Sequence, residues 1–154
     1  MAHRFPDAAT LGEARAWLRL HVDKGERCPC CTQFAKVYRR KINAGMARAL
    51  IRMCRLGATE DYIHTATAIV CHEVAQLSWW GLISEEPIER PDGGRAGWWK
   101  VTPLGERWAH NRARVAKFVH IYDSRVLGLD DTEQWSVVDA LGKRFDLEEL
   151  WRGE

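Results

Sequence analysis

Between Gly81 and Pro103 the chain packs a helix stop, an extended apolar pair, a turn and an aromatic segment that runs straight into a helix start. Gly81 closes the helical pattern that ends Leu77-Ser78-Trp79-Trp80, and Leu82-Ile83 leave it in extended form. Pro91-Asp92-Gly93-Gly94 is a turn by composition. Trp98-Trp99-Lys100-Val101 reads as a strand returning from that turn. Thr102 is an N-cap residue with Pro103 at the first helical position, where a missing N–H costs nothing. The string predicts a two-stranded ribbon between two helices. Neighbouring residues of a strand face opposite ways, so one of Trp98 and Trp99 is expected in the core and the other in part exposed. The exposed ring would stack on a base or anchor a partner; the alternative is that the tryptophans serve the core.

The rest of the chain reads mostly as helix. Thr10-Leu11-Gly12-Glu13 has the form of a capping box, and Leu11, Ala14, Leu18 and Val22 follow at helical spacing, with Gly25 as a stop. A tight turn at Cys28-Pro29-Cys30-Cys31 comes next, and from Thr32 the pattern is helical again through Phe34, Val37, Tyr38 and Ile42. Asn43-Ala44-Gly45 breaks it, and a further helix carries Met46, Leu50, Ile51 and Cys54 to Gly57. Glu60 to His64 makes a short helix, and Thr65 or Thr67 caps another that runs through Ile69, Val70, Val74 and Leu77 to Trp80. The helix that starts at Pro103 is expected to reach about Lys117. A small hairpin from Phe118 to Leu129 and an acidic helical tail with Trp135, Val138 and Leu141 on one face complete the chain. The expected fold class is mainly α with a small β wing. The expected divisions are 1–42 for the first helix, Cys-rich turn and basic helix, 43–117 for the segment around the ribbon, and 118–154 for hairpin and tail.

With 154 residues, 46% of them hydrophobic and 29% charged, the chain suits one folded domain or a domain with a small appendage. No apolar run approaches the ~18 residues that cross a bilayer, and Met1 to Pro6 holds no apolar signal core, so no membrane association and a cytoplasmic address are expected. Neither a Gly-rich phosphate loop, HExxH, GxSxG nor a spaced carboxylate pair is present, which points away from an enzyme.

The order helix, short helix, helix, strand, turn, strand, helix is the plan of a winged helix-turn-helix. Leu77-Ser78-Trp79-Trp80-Gly81-Leu82-Ile83 resembles the segment that ends a recognition helix and opens the wing. Trp99-Lys100-Val101-Thr102-Pro103-Leu104-Gly105 resembles the aromatic-x-Leu-Thr-x-x-Gly string that closes the wing in bacterial repressors of the MarR and PadR kind, with Val101 in place of Leu. The resemblance covers about residues 43 to 116. It implies a winged helix-turn-helix core with helical extensions, and DNA binding with the helix from Thr67 to Trp80 in the major groove. That helix holds no Lys or Arg; His72 and Gln76 are its base-reading candidates, Gln being able to bond adenine bidentately.

Charge is distributed unevenly around a net +2. No acidic residue occurs between Glu26 and Glu60, whereas the chain from Asp130 onward is rich in Asp and Glu. Clustered cations suit a phosphate backbone, because each neutralised phosphate releases counterions. Arg48, Arg52, Arg55 and the wing residues Arg95 and Lys100 are therefore the phosphate-binding candidates. The same run also suits a solvated helix face. Two functions fit: a DNA-binding transcriptional regulator of prokaryotic or phage type, dimeric through its terminal helices, or an adaptor or inhibitor that uses a winged-helix scaffold and exposed tryptophans against an acidic protein.

Cys28-x-x-Cys31 with Pro29 inside resembles a zinc knuckle, whose tight turn aims two thiolates at one point. Zinc is the expected cofactor, with Cys28 and Cys31 as ligands and His21 and Cys71 as the favoured additions; the alternative is that the cysteines serve as small apolar residues. Thr32 stands where a knuckle usually has Gly.

Overall fold

The computed structural model describes residues 5–69, 71–88, 91 and 97–153. The turn residues Asp92, Gly93 and Gly94, the candidate Arg95, and Val70 lie outside the described residues. The described chain is about 39% helix and 26% strand, with six α-helices and three small antiparallel sheets. It is thus not mainly α, which corrects the expected fold class. The chain divides into two units, one of Met1–Arg39 with His120–Leu127, the other of Arg40–Val119 with Gly128–Glu154.

In the smaller unit, α1 (Leu11–His21) starts at the expected box: the Thr10 hydroxyl accepts the Glu13 N–H at 3.2 Å, and the Glu13 carboxylate accepts the Thr10 N–H at 2.7 Å. Ala14, Leu18 and Val22 are buried along one side. The chain then makes a hairpin of β1 (Glu26–Arg27) and β2 (Phe34–Ala35), with Arg27 opposite Phe34. Gly25 has φ +91, and a Cβ there would run into the Phe34 ring, so both backbone and ring require glycine.

The larger unit is centred on α2 (Ala44–Arg55). Asn43, read as a breaker, is its N-cap, accepting the Met46 N–H at 2.9 Å. Met46, Ala47, Leu50, Ile51 and Met53 are all at most 1% exposed. Beyond α2 come β4 (Ile63–His64), α3 (Thr65–Ala68), a 3₁₀ helix (Val74–Trp80), β5 (Ile83–Glu85) and β6 (Trp98–Val101). The three strands form one sheet in the order β4-β6-β5, with Ile63 and Glu85 both paired to Trp99. The ribbon β5–β6 appears as the sequence indicates, and Gly81, at φ +72, ends the 3₁₀ helix. Trp98 and Trp99 do not divide into an inward and an outward ring; both are half-buried. The Trp98 ring meets His64 edge-on at 5.3 Å.

After β6, α4 (Pro103–Ala109) begins at Thr102, whose hydroxyl accepts the Gly105 N–H at 3.0 Å and donates to the Gly81 carbonyl at 2.6 Å. The helix stops well short of Lys117, because Asn111 takes a left-handed φ of +58 and Arg112 N–H closes the turn onto the Arg107 carbonyl. Then β7 (Val115–Tyr122) and β8 (Arg125–Trp135) form a hairpin across Asp123 and Ser124, both with positive φ. With β3 (Tyr38–Lys41) they make a sheet in the order β3-β7-β8. Two helical readings fail here. Residues 34–41 are largely strand, since Phe34, Val37 and Tyr38 match a helical period but their backbone partners lie elsewhere along the chain. The segment up to Trp135 is strand as well, and helix resumes only at α5 (Val137–Leu141), capped by Ser136 with Asp139. Finally α6 (Leu147–Arg152) is capped by Asp146.

Four indoles tie distant segments of the larger unit together. Nε1 of Trp80, Trp108, Trp135 and Trp151 donates to the carbonyls of Ala116, Trp135, Ile42 and Ala109, at 2.8, 2.9, 3.3 and 3.0 Å. Each ring supplies apolar area while its N–H satisfies a backbone acceptor, which accounts for much of the chain's heavy tryptophan load.

Candidate nucleic-acid interface

Because α2 buries its apolar stripe, Arg48, Arg52 and Arg55 emerge together on the opposite, exposed side. They line one cleft of about 370 Å³, with Gly45, Ile69, Leu150 and Gly153 among its other walls. Each guanidinium is held differently. Arg48 lies 4.4 Å over the Phe145 ring. Arg52 Nε donates to the Ala68 carbonyl at 3.0 Å, tying α2 to the end of α3. Arg55 lies against Gly153, whose φ of +99 and missing Cβ leave room for it. Among the described residues none of the three is paired with a carboxylate. The result is a concave surface with three positive charges and their remaining N–H donors unspent, which suits a phosphate or carboxylate.

The other candidates stand apart from this cleft. His72 is exposed in the turn before the 3₁₀ helix, and Gln76 is half-buried within it. That element is a seven-residue 3₁₀ helix, where the sequence led us to expect a continuous helix from Thr67 to Trp80. Glu73 at its start accepts from Asn43 Nδ2 at 2.6 Å. Lys100 is half-buried on β6 opposite Ser84, its Nζ 5.7 Å from the Tyr62 ring centroid. Phe145, Leu150 and Gly153 were not identified from sequence. They come from the acidic tail, where both α5 and α6 pack against α2.

The cysteine turn belongs to the smaller unit. Cys28 N–H donates to the Gln33 carbonyl at 2.8 Å, Thr32 N–H to the Cys28 carbonyl at 2.9 Å, and Arg27 Nη1 to the Thr32 carbonyl at 3.0 Å. Thr32 adopts the left-handed φ of +64 that a knuckle normally assigns to Gly. The N–H groups of Cys31 and Cys30 reach the Cys28 sulfur and draw its thiol below its ordinary value. A closed tetrahedral zinc site takes four donors, and the turn supplies two at the expected spacing, Cys28 and Cys31. Among the described residues no three His, Cys, Asp or Glu side chains are grouped to hold a metal ion. His21 stacks on Trp17 at 4.2 Å with Nδ1 2.7 Å from the Trp17 carbonyl, and Cys71 belongs to the larger unit. Burial, with Glu106 adding to it, pushes the Cys54 thiol up to about 12, so it is a neutral apolar group at neutral pH.

No protein-family model, no curated protein and no solved structure matches the chain. Among the described residues no helix is long and apolar enough to cross a membrane.

Proposed function

We propose that this protein binds duplex DNA mainly through the phosphate backbone, with the arginine face of α2 as its anchor, and that it acts as a DNA-associated regulator. The observation that carries the reading is the cleft in which Arg48, Arg52 and Arg55 converge with no carboxylate partner among the described residues. The local order α2, β4, α3, 3₁₀ helix, β5, β6 supports it, being that of a winged helix with a three-stranded wing sheet. Arg52 supports it too, since it fastens α2 to α3 directly before the segment that carries His72 and Gln76. Sequence discrimination is expected to be weak, because the 3₁₀ helix is short and has no cation to read guanine.

The test is duplex binding measured by fluorescence anisotropy at low salt. Arg48→Gln with Arg55→Gln should weaken binding to all duplex sequences alike, whereas His72→Ala and Gln76→Ala should change only the preference among them. Failure to bind any duplex at low salt removes the reading. One observation favours a second reading, an adaptor for an acidic protein: the cation-free 3₁₀ helix lacks what a recognition helix usually brings to DNA.

A further inference from the structure

The cleft along α2 has the size of a small-molecule site. Its volume of about 370 Å³ lies at the lower end of the range for ligand pockets, roughly 300–1,000 Å³. A duplex laid across such a cleft meets only its rim, whereas a molecule of nucleotide size enters it. Arg48, Arg52 and Arg55 follow one another along the helix axis at roughly 6 and 4.5 Å, given a rise of 1.5 Å per residue. Three positive charges in a row over roughly 10 Å call for an anion that is extended and multiply charged. Every residue of the cleft belongs to the larger unit.

The three guanidiniums are held in place without being neutralised. Their partners are the Phe145 ring, the Ala68 carbonyl and the Gly153 backbone, all uncharged. Much of the cost of ordering these long side chains is therefore met before a ligand arrives. Arg52 spends only Nε on Ala68, which leaves both terminal nitrogens as donors. The other walls are apolar or bare: Ile69 and Leu150 offer hydrocarbon, and Gly45 and Gly153 carry no side chain. Fixed guanidinium forks beside hydrocarbon suit an organic phosphate, whose oxygens take the forks and whose carbon skeleton takes the apolar wall.

We propose that this cleft binds a free nucleoside di- or triphosphate, with the phosphates laid along Arg48, Arg52 and Arg55 and the nucleoside against Ile69 and Leu150. Bound there, the nucleotide occupies the same donors that would anchor duplex DNA, so the two ligands exclude each other. The nucleotide site goes beyond the DNA reading and does not rest on it; only the competition does.

Isothermal titration calorimetry of the whole protein with adenosine triphosphate, without added divalent metal, tests it. One molecule should bind per chain, with a Kd on the order of 10–100 µM. Adenosine should bind at least about tenfold more weakly, because it leaves the guanidiniums unmet, and so should citrate, a polyanion with no phosphate. Arg48→Gln and Arg55→Gln, both exposed positions, should each weaken binding by about tenfold, the usual worth of a hydrogen bond to a charged group. Gly153→Ala should do the same with all three arginines intact, because its methyl would displace the Arg55 guanidinium. Arg19→Gln, which removes an exposed charge from α1 in the smaller unit, should leave the affinity within about twofold of wild type and so controls for net charge. No binding of the triphosphate, equal binding of adenosine or citrate, or cleft variants no weaker than Arg19→Gln overturns the proposal. If a duplex binds and the triphosphate does not, the nucleotide site is lost and the DNA reading stands; the reverse result removes the DNA reading and leaves the site.

Discussion

Substituting Gly105 with Ala would ordinarily help a helix, and here it should do the opposite. Gly105 is in the first turn of α4, and a Cβ built on it falls onto the Leu82 carbonyl oxygen, with the Leu82 carbonyl carbon and Val101 Cγ1 both at 2.9 Å. The obstacle is backbone, and that backbone is fixed: the Leu82 carbonyl accepts the Thr102 N–H at 3.0 Å, and the Thr102 hydroxyl donates to the Gly81 carbonyl at 2.6 Å. The helix start is thus seated on the strand exit, and relief requires moving α4 away from both. Overpacking of this kind typically costs about 1–3 kcal/mol, and a backbone obstacle belongs at or above the top of that range. Against it stands the helical preference of Ala over Gly, roughly 0.5–1 kcal/mol. A net loss of about 2 kcal/mol should lower Tm by about 4–8 °C. Gly12→Ala, in the first turn of α1, is the control: its Cβ meets only Thr10 Oγ1, at an ordinary 3.8 Å, and the change should be neutral or slightly stabilising. Thermal melts of the three proteins decide the matter. If Gly105→Ala melts at or above the wild type, α4 is not seated on Leu82, and the physical reason for glycine in the Thr-x-x-Gly string is lost.

The cysteines should differ sharply in reactivity. With its thiol drawn below the ordinary value, Cys28 should be alkylated by iodoacetamide well before Cys54 at neutral pH, and mass spectrometry of timed digests would show the order; equal labelling contradicts the hydrogen-bonded turn. Asp139 accepts the Ser136 N–H at 2.8 Å and its hydroxyl at 2.9 Å, which hold the carboxyl below the usual carboxylate range. Its folded pKa being the lower one, its contribution is complete above the unfolded value and lost as pH falls through the folded value. Asp139→Asn should therefore lower Tm at neutral pH, with the gap to wild type closing in acid; a gap independent of pH would show that the charge is not what caps α5.

What the sequence revealed follows a physical division. Features closed within a few residues were legible: the Thr10–Glu13 box, the Thr102 cap with Pro103 and the Gly81 stop all form from neighbours. Features that need a distant partner were not. Tyr38–Lys41 carries a pattern compatible with helix, and only its membership of the β3-β7-β8 sheet makes it strand. Asn43 and Asn111 are local features of another kind: asparagine serves as a helix cap, a breaker or a left-handed residue, and here one caps α2 and the other ends α4 early. At the candidate site, the spacing of Arg48, Arg52 and Arg55 marked one helix face. The cleft itself arises because Leu150 and Gly153 arrive from the far end of the chain, where the Phe145 ring also meets Arg48.

The most direct test of the proposed function is the salt dependence of duplex binding, measured for the wild type and for the Arg48→Gln/Arg55→Gln double variant. If about six phosphates are engaged, wild-type affinity should fall roughly a thousandfold between about 50 and 200 mM salt. The double variant should give a log–log slope shallower by about two, one unit for each phosphate contact removed. A flat wild-type response, or two identical slopes, would contradict a phosphate anchor at the arginine face of α2.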